Sequence, residues 1–211
     1  VTDNDGVNGA KTTMSDAQTY QVPTPQQISE KISAGSDALK QKMEATIKLA
    51  ATIEKESKKL ANTLIDKKQL TFEDKKQIEQ LLAKQQQLND ALSDIKKQNE
   101  KNTFDKQENN VLNEELRNKQ KQIDELFNQA LDEKTKALLQ KLQQLMEQNN
   151  KDQARENLSK MQMDNKGLKN ELDRILELYK QLEFEQNLQN NVDRLNDLAK
   201  QQMELSQQSK D

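Results

Sequence analysis

Beyond Pro25 this chain contains no further proline and only two glycines, Gly35 and Gly167. A stretch of that length, rich in Leu, Lys, Glu and Gln, favours helix at nearly every position. A β-sandwich or barrel would need turn residues about every ten positions, and they are missing. Of the 211 residues only 32% are hydrophobic and 3% aromatic, against 33% charged. So few apolar groups fill a thin seam between helices and not a broad core. The same composition is the usual signature of disorder. Two features oppose that reading: a net charge of only −3 and apolar residues spaced at helical intervals. The expected fold is all-α, a long antiparallel helical hairpin within a coiled-coil-like bundle. A short N-terminal extended segment, detached from a β domain, precedes it.

Three regions follow from the pattern. Residues 1–23 read as a turn, Asp3-Asn4-Asp5-Gly6-Val7-Asn8-Gly9, followed by a strand at Thr19-Tyr20-Gln21-Val22. A lone strand is unstable in water, so its partners are expected upstream of this chain. Residues 24–102 read as the hairpin. Thr24 is the expected N-cap of the first helix, with Pro25 at its first position and Gln27 closing a capping box. Its seam steps alternately by four and three through Ile32, Ser36, Leu39, Met43, Thr46, Ala50, Ile53, Ser57, Leu60 and Leu64. A connection at Lys67–Leu70 is too short for parallel neighbours. Thr71 caps the second helix, whose seam is Ile78, Leu81, Gln85, Leu88, Leu92, Ile95, Asn99 and Asn102. The two seams mesh when paired positions sum to 138, which sets Ala50 against Leu88 and Ser36 against Asn102. Residues 103–211 read as further helices. A restart is expected at Thr103-Phe104-Asp105, where the Thr-Phe-acid signal of Thr71 recurs, followed by Leu112, Leu116, Ile123, Leu126 and Ala130. Breaks are expected near 132, 150 and 165. Asn150 and Gln153 would cap a short helix ending about Met161, and Asp164-Asn165-Lys166-Gly167 would form a turn. A last seam runs Leu168, Leu172, Ile175, Tyr179, Leu182, slips, and resumes at Val192 and Leu195.

The chemistry is bounded by absences. The chain has no His, Cys or Trp, so the commonest general base, the commonest nucleophile and the usual transition-metal ligands are gone together. No phosphate-binding loop or nucleophile elbow occurs. The carboxylates are interleaved with lysine, as on a solvated helix surface. We therefore expect no enzyme activity, no catalytic or metal site and no cofactor. Aligning the acidic loop on a calcium site at Gly6 puts Val1 and Thr12 at its end positions, and neither is a ligand. Excess EDTA and millimolar Ca²⁺ are expected to give the same melting temperature; a difference of several degrees would contradict this. Thirty-three basic residues mixed among 36 acidic ones leave no stripe for nucleic acid. No apolar run is long enough to insert into a membrane. The 29 Gln and 20 Asn sit among Leu, Lys and Glu, which suits helix surface better than a prion-like tract.

The stretch from Asp3 to Lys11, with Thr19-Tyr20 and Pro23-Thr24, resembles a segment of large envelope proteins of the Bacteroidetes group. Leu172-Asp173-Arg174-Ile175-Leu176-Glu177-Leu178, with Glu183-Phe184-Glu185-Gln186, is similar to a later segment of them. The resemblance implies membrane helices, then an extracytoplasmic immunoglobulin-like β region, then a Gln-rich helical region. This chain would then be a fragment: the last β hairpin plus the helical region, tethered through a part outside it, with no catalytic residues to carry over. The expectation is a structural or scaffolding helical module of the cell envelope, acting on protein partners along its helix faces. A regulated partner-binding module, using the polar seam positions Gln85, Asn99 and Asn102, is the alternative, as is a cytoplasmic filament or ruler. A homo-oligomer is compatible with the thin seam.

Overall fold

The computed structural model describes residues 2, 6–9, 11–14, 16, 22–109, 112–130, 140, 143–144, 147 and 149–209. Four helices carry the fold: α1 (Pro25–Thr63), α2 (Phe72–Glu108), α3 (Glu114–Ala130) and α4 (Lys151–Gln208). Their starts are set locally. At Thr24 the hydroxyl accepts from the Gln27 amide while the Gln27 side chain accepts from the Thr24 amide, a complete capping box with Pro25 at the first position. Thr71 and Asp74 repeat the device on α2. Asn113 accepts from the Leu116 amide at the head of α3, and Asn150 accepts from the Gln153 amide at the head of α4. Each cap satisfies amides that the first helical turn cannot.

Packing follows from the stripes. Every seam residue expected on α1 and α2 is buried, Leu64 included. Cross-links join the two in opposite senses: Lys31 to Asp105 at 2.9 Å, Asn102 to Ser36 at 3.0 Å, and Lys84 to Glu56 at 2.6 Å. The Ser36–Asn102 contact is one of the pairs that sum to 138. α1 packs against α2 on one side and α4 on the other, while α3 packs on α4 and touches α2. α2 and α4 therefore lie diagonally and meet only through side chains across the core. Lys151 donates to the Lys67 carbonyl at 2.9 Å, Lys180 pairs with Glu44 at 3.6 Å, and Lys40 pairs with Glu183 at 2.5 Å, so α4 runs antiparallel to α1. The core is a long thin column that includes Leu39, Met43, Ile53, Ile78, Leu88, Ile95, Leu158, Met161 and Ile175.

Several boundaries differ from expectation. There is no restart at Thr103: α2 continues to Glu108, with Thr103 and Lys106 buried and Phe104 exposed. Burial of that face by other helices outweighs a local start signal. Asp164–Gly167 is not a turn, and no helix ends at Met161, because α4 is continuous from Lys151 to Gln208. Asn165 is buried on its inner face and Gly167 lies where an added Cβ would meet nothing. One glycine costs a helix only about 1 kcal/mol, which packing on both sides outweighs. On α3 the inner residue is Phe127, with Leu126 only partly buried. Of the expected strand Thr19–Val22, all but Val22 lies outside the described residues, as does the break near 132; Val22 is exposed and in no strand. The N-terminal turn is described in part: a bridge pairs Thr2 with Thr12, and Gly9 has φ +84°. That backbone conformation favours glycine.

Ala50 is fully buried whereas Lys48 is exposed. Ala50→Leu is expected to overpack the column and cost roughly 1–3 kcal/mol. Lys48→Leu should leave the urea midpoint nearly unchanged. Equal effects of the two would contradict this packing.

Candidate functional site

Buried polar groups gather toward the end of the bundle where α1 begins and α2 ends. The α2 seam steps from Asn99 to Asn102 to Lys106, and Asn102 meets Ser36 of α1 and Tyr179 of α4 there. The Asn102 amide donates to Tyr179 Oη and to Ser36 Oγ, and Tyr179 Oη donates to Ser36 Oγ at 3.2 Å. The triangle uses both Asn102 donors. Lys106 extends over the Tyr179 ring, with Nζ 5.0 Å from the ring centroid, and is only 1% exposed. Burial pushes its pKa down to about 8; the negative charge of Glu183 opposes that fall and Lys40 adds to it. Burial likewise raises the Tyr179 hydroxyl to about 12, despite its hydrogen bonds to Ser36 and Asn102. Lys40 is pulled down by burial, but Glu183 and Asp37 outweigh this and hold it above the usual lysine range.

Two further ties cross the column. Asn99 donates to Asp124 of α3 at 2.6 Å, and Gln120 donates to the same carboxylate at 3.0 Å. Burial raises the Asp124 pKa more than these donors lower it. Deeper in, Asn165 of α4 donates to Gln85 Oε1 and to the Met161 carbonyl, each at 2.8 Å. Gln85, Asn99 and Asn102, the polar seam positions singled out from sequence, thus each find a partner on α3 or α4. The sequence reading did not find Lys106, Asp124, Asn165 or the role of Tyr179. Gln85 and Asn165 set a further prediction. Either one alone changed to Leu should cost about 1–3 kcal/mol by stranding its partner, while the double change should be near neutral. Additive losses in a double-mutant cycle would contradict the pairing.

What this cluster offers chemically is limited. Ser36, Asn102, Lys106 and Tyr179 are buried, and among the described residues no group of three or more acidic residues could hold a metal ion. Two grooves open beside it: one of about 810 Å³ between the start of α1 (Pro25, Ile28, Ile32) and α4 (Asn187, Asn190, Arg194), and one of about 220 Å³ between α2 and α3, lined by Asn99, Thr103 and Asp124. The walls of the larger groove carry amides, the Arg194 guanidinium, the Glu183 and Asp193 carboxylates and the hydroxyls of Ser29, Ser33 and Ser36. Past Gln186 every described residue of α4 is exposed, including Leu188, Val192, Leu195, Leu198 and Leu205. No described helix is long and apolar enough to cross a membrane. Comparison with protein-family models, with curated proteins and with solved structures finds no match to this chain.

Proposed function

We propose that this chain is a non-enzymatic scaffolding module of a larger cell-envelope protein, working through protein contacts along its helix faces. The observation that supports this most is the distribution of groups. The chemically interesting side chains, Lys106 and Tyr179, are enclosed and used for packing. The surplus apolar groups lie outward along the end of the longest helix. An enzyme needs the reverse, a concave pocket into which perturbed groups project. A 58-residue helix spans roughly 87 Å, enough to hold other parts of a protein well apart. The envelope location is carried by the sequence resemblance alone.

The test is made in the cell that produces the protein. Protease added to intact cells should spare these residues, and should cut them once the outer membrane is opened. Recovery in the cytosolic fraction, resistant after that opening, would contradict the reading. A regulated partner-binding module is the second reading, favoured by the polar cluster, since a seam with buried amides and an amine separates at less cost than a leucine seam. It predicts fast amide exchange in Ser33–Leu39 and Asn99–Lys106 without a partner, whereas a static scaffold predicts protection there.

A further inference from the structure

We propose that α4 beyond Gln186 is a self-pairing arm that docks antiparallel on the same stretch of a second copy. This names one partner for the scaffold reading, and it stands on the geometry of α4 even without that reading. Inside the bundle α4 buries Leu172, Ile175, Tyr179, Leu182 and Gln186. A second seam begins on the far side of the helix at Phe184, 67% exposed. It steps four and three through Leu188, Asn191, Leu195, Leu198, Gln202 and Leu205. At 100° per residue its centre lies roughly 150° from the buried seam, facing away from α1 and α3. Among the described helices only the start of α1 comes near it, where Asn191 and Arg194 line the groove beside Pro25 and Ile28. A helical end of about 20 residues with no partner is marginal in water, and an apolar stripe of this length is more than scattered surface leucine.

The pattern itself selects a second copy. Laid antiparallel so that paired positions sum to 393, Leu188 meets Leu205, Asn191 meets Gln202, and Leu195 meets Leu198, each repeated across the two-fold axis. Apolar thus faces apolar and amide faces amide, with the a-to-d layering that antiparallel coils require. On one flank Val192 faces Ala199; on the other Arg194 faces Gln201. Asp193, Asp197, Lys200 and Glu204 fall on the outer face, so no like charges are opposed. A parallel pair would carry the same seam back onto Glu177 and Arg174, both exposed on α4, and set each against its own copy. The antiparallel pair stops at Phe184 and holds the two bundles at opposite ends.

The chain has no cysteine, so single cysteines report the pairing cleanly. Leu188→Cys and Leu205→Cys chains, one isotopically heavy, are mixed in equal amounts and oxidised mildly. The proposal expects the mixed disulfide to dominate, and expects sedimentation of the unaltered chain to show a dimer at micromolar concentrations. Leu195→Lys with Leu198→Lys should abolish the dimer while the melting of the bundle is kept. A monomer at all concentrations, like-with-like disulfides, or a dimer indifferent to the two lysines would each overturn it. None of these results bears on where in the cell the protein resides, so this failure is separate from failure of the scaffold reading.

Discussion

Tyr179→Ala is expected to destabilise the chain by about 3–5 kcal/mol, the range for deleting a large aromatic from a packed interior. The side chain is 1% exposed and is the largest fully buried one among the described residues. Its loss would remove the ring beneath Lys106 and the hydroxyl shared by Ser36 and Asn102. Tyr179→Phe separates the two contributions. It keeps the ring, strands an Asn102 donor, and should cost about 1–3 kcal/mol. Urea unfolding of both variants measures the difference. A cost below 1 kcal/mol for the alanine variant would mean that Tyr179 does not join α4 to α1 and α2.

Lys106→Met is expected to act in the opposite direction and raise stability. With a folded-state pKa of about 8, against about 10.4 when unfolded, the amine is charged in both states below pH 8. There the folded chain bears the whole cost of burying it. Between pH 8 and about 10.4 the unfolded chain binds a proton that the folded chain has released, so stability rises with pH. The depression corresponds to ~3 kcal/mol at most. Tyr179 acts at higher pH and with the other sign. Its folded-state pKa of about 12 gives stability that is present below pH 10 and lost through pH 12. The clean window for Lys106 is therefore pH 8–10. Methionine should gain about 1–3 kcal/mol at pH 7 and flatten the rise across that window. No gain, with the rise unchanged, would show that the amine is hydrated.

The hairpin seams were readable because each residue on them is either apolar or polar without charge, and the three–four stepping does not depend on which. The same stepping, continued from Asn102, lands on Lys106. It went unread because a lysine on a seam looks the same in sequence as a seam that has ended. Thr103 and Gly167 misled for a related reason. Start and turn signals are worth about 1 kcal/mol each, and the packing of apolar residues of the same helices, such as Ile95, Met161 and Leu172, against helices far away in sequence outweighs them. Where α3 and α4 would lie against the hairpin was hidden. Only particular pairs such as Glu44–Lys180 and Gln85–Asn165 place α4 against α1 and α2. The candidate site was the least readable part. The register of the two seams pairs Ser36 with Asn102, but nothing in the local sequence brings Tyr179 of a third helix to them.

The central claim is that this polar cluster packs the bundle and performs no reaction. It is tested most directly by replacing the cluster in the intact protein, in the cell that makes it, with Ser36→Ala, Asn102→Leu, Lys106→Met and Tyr179→Phe together. Urea unfolding of the isolated chain first verifies that the bundle is kept. The account predicts that this variant corrects the defect of a strain lacking the gene as fully as the unaltered protein does. Complete loss of that correction by a folded variant would contradict it and would make Lys106 and Tyr179 participants in chemistry.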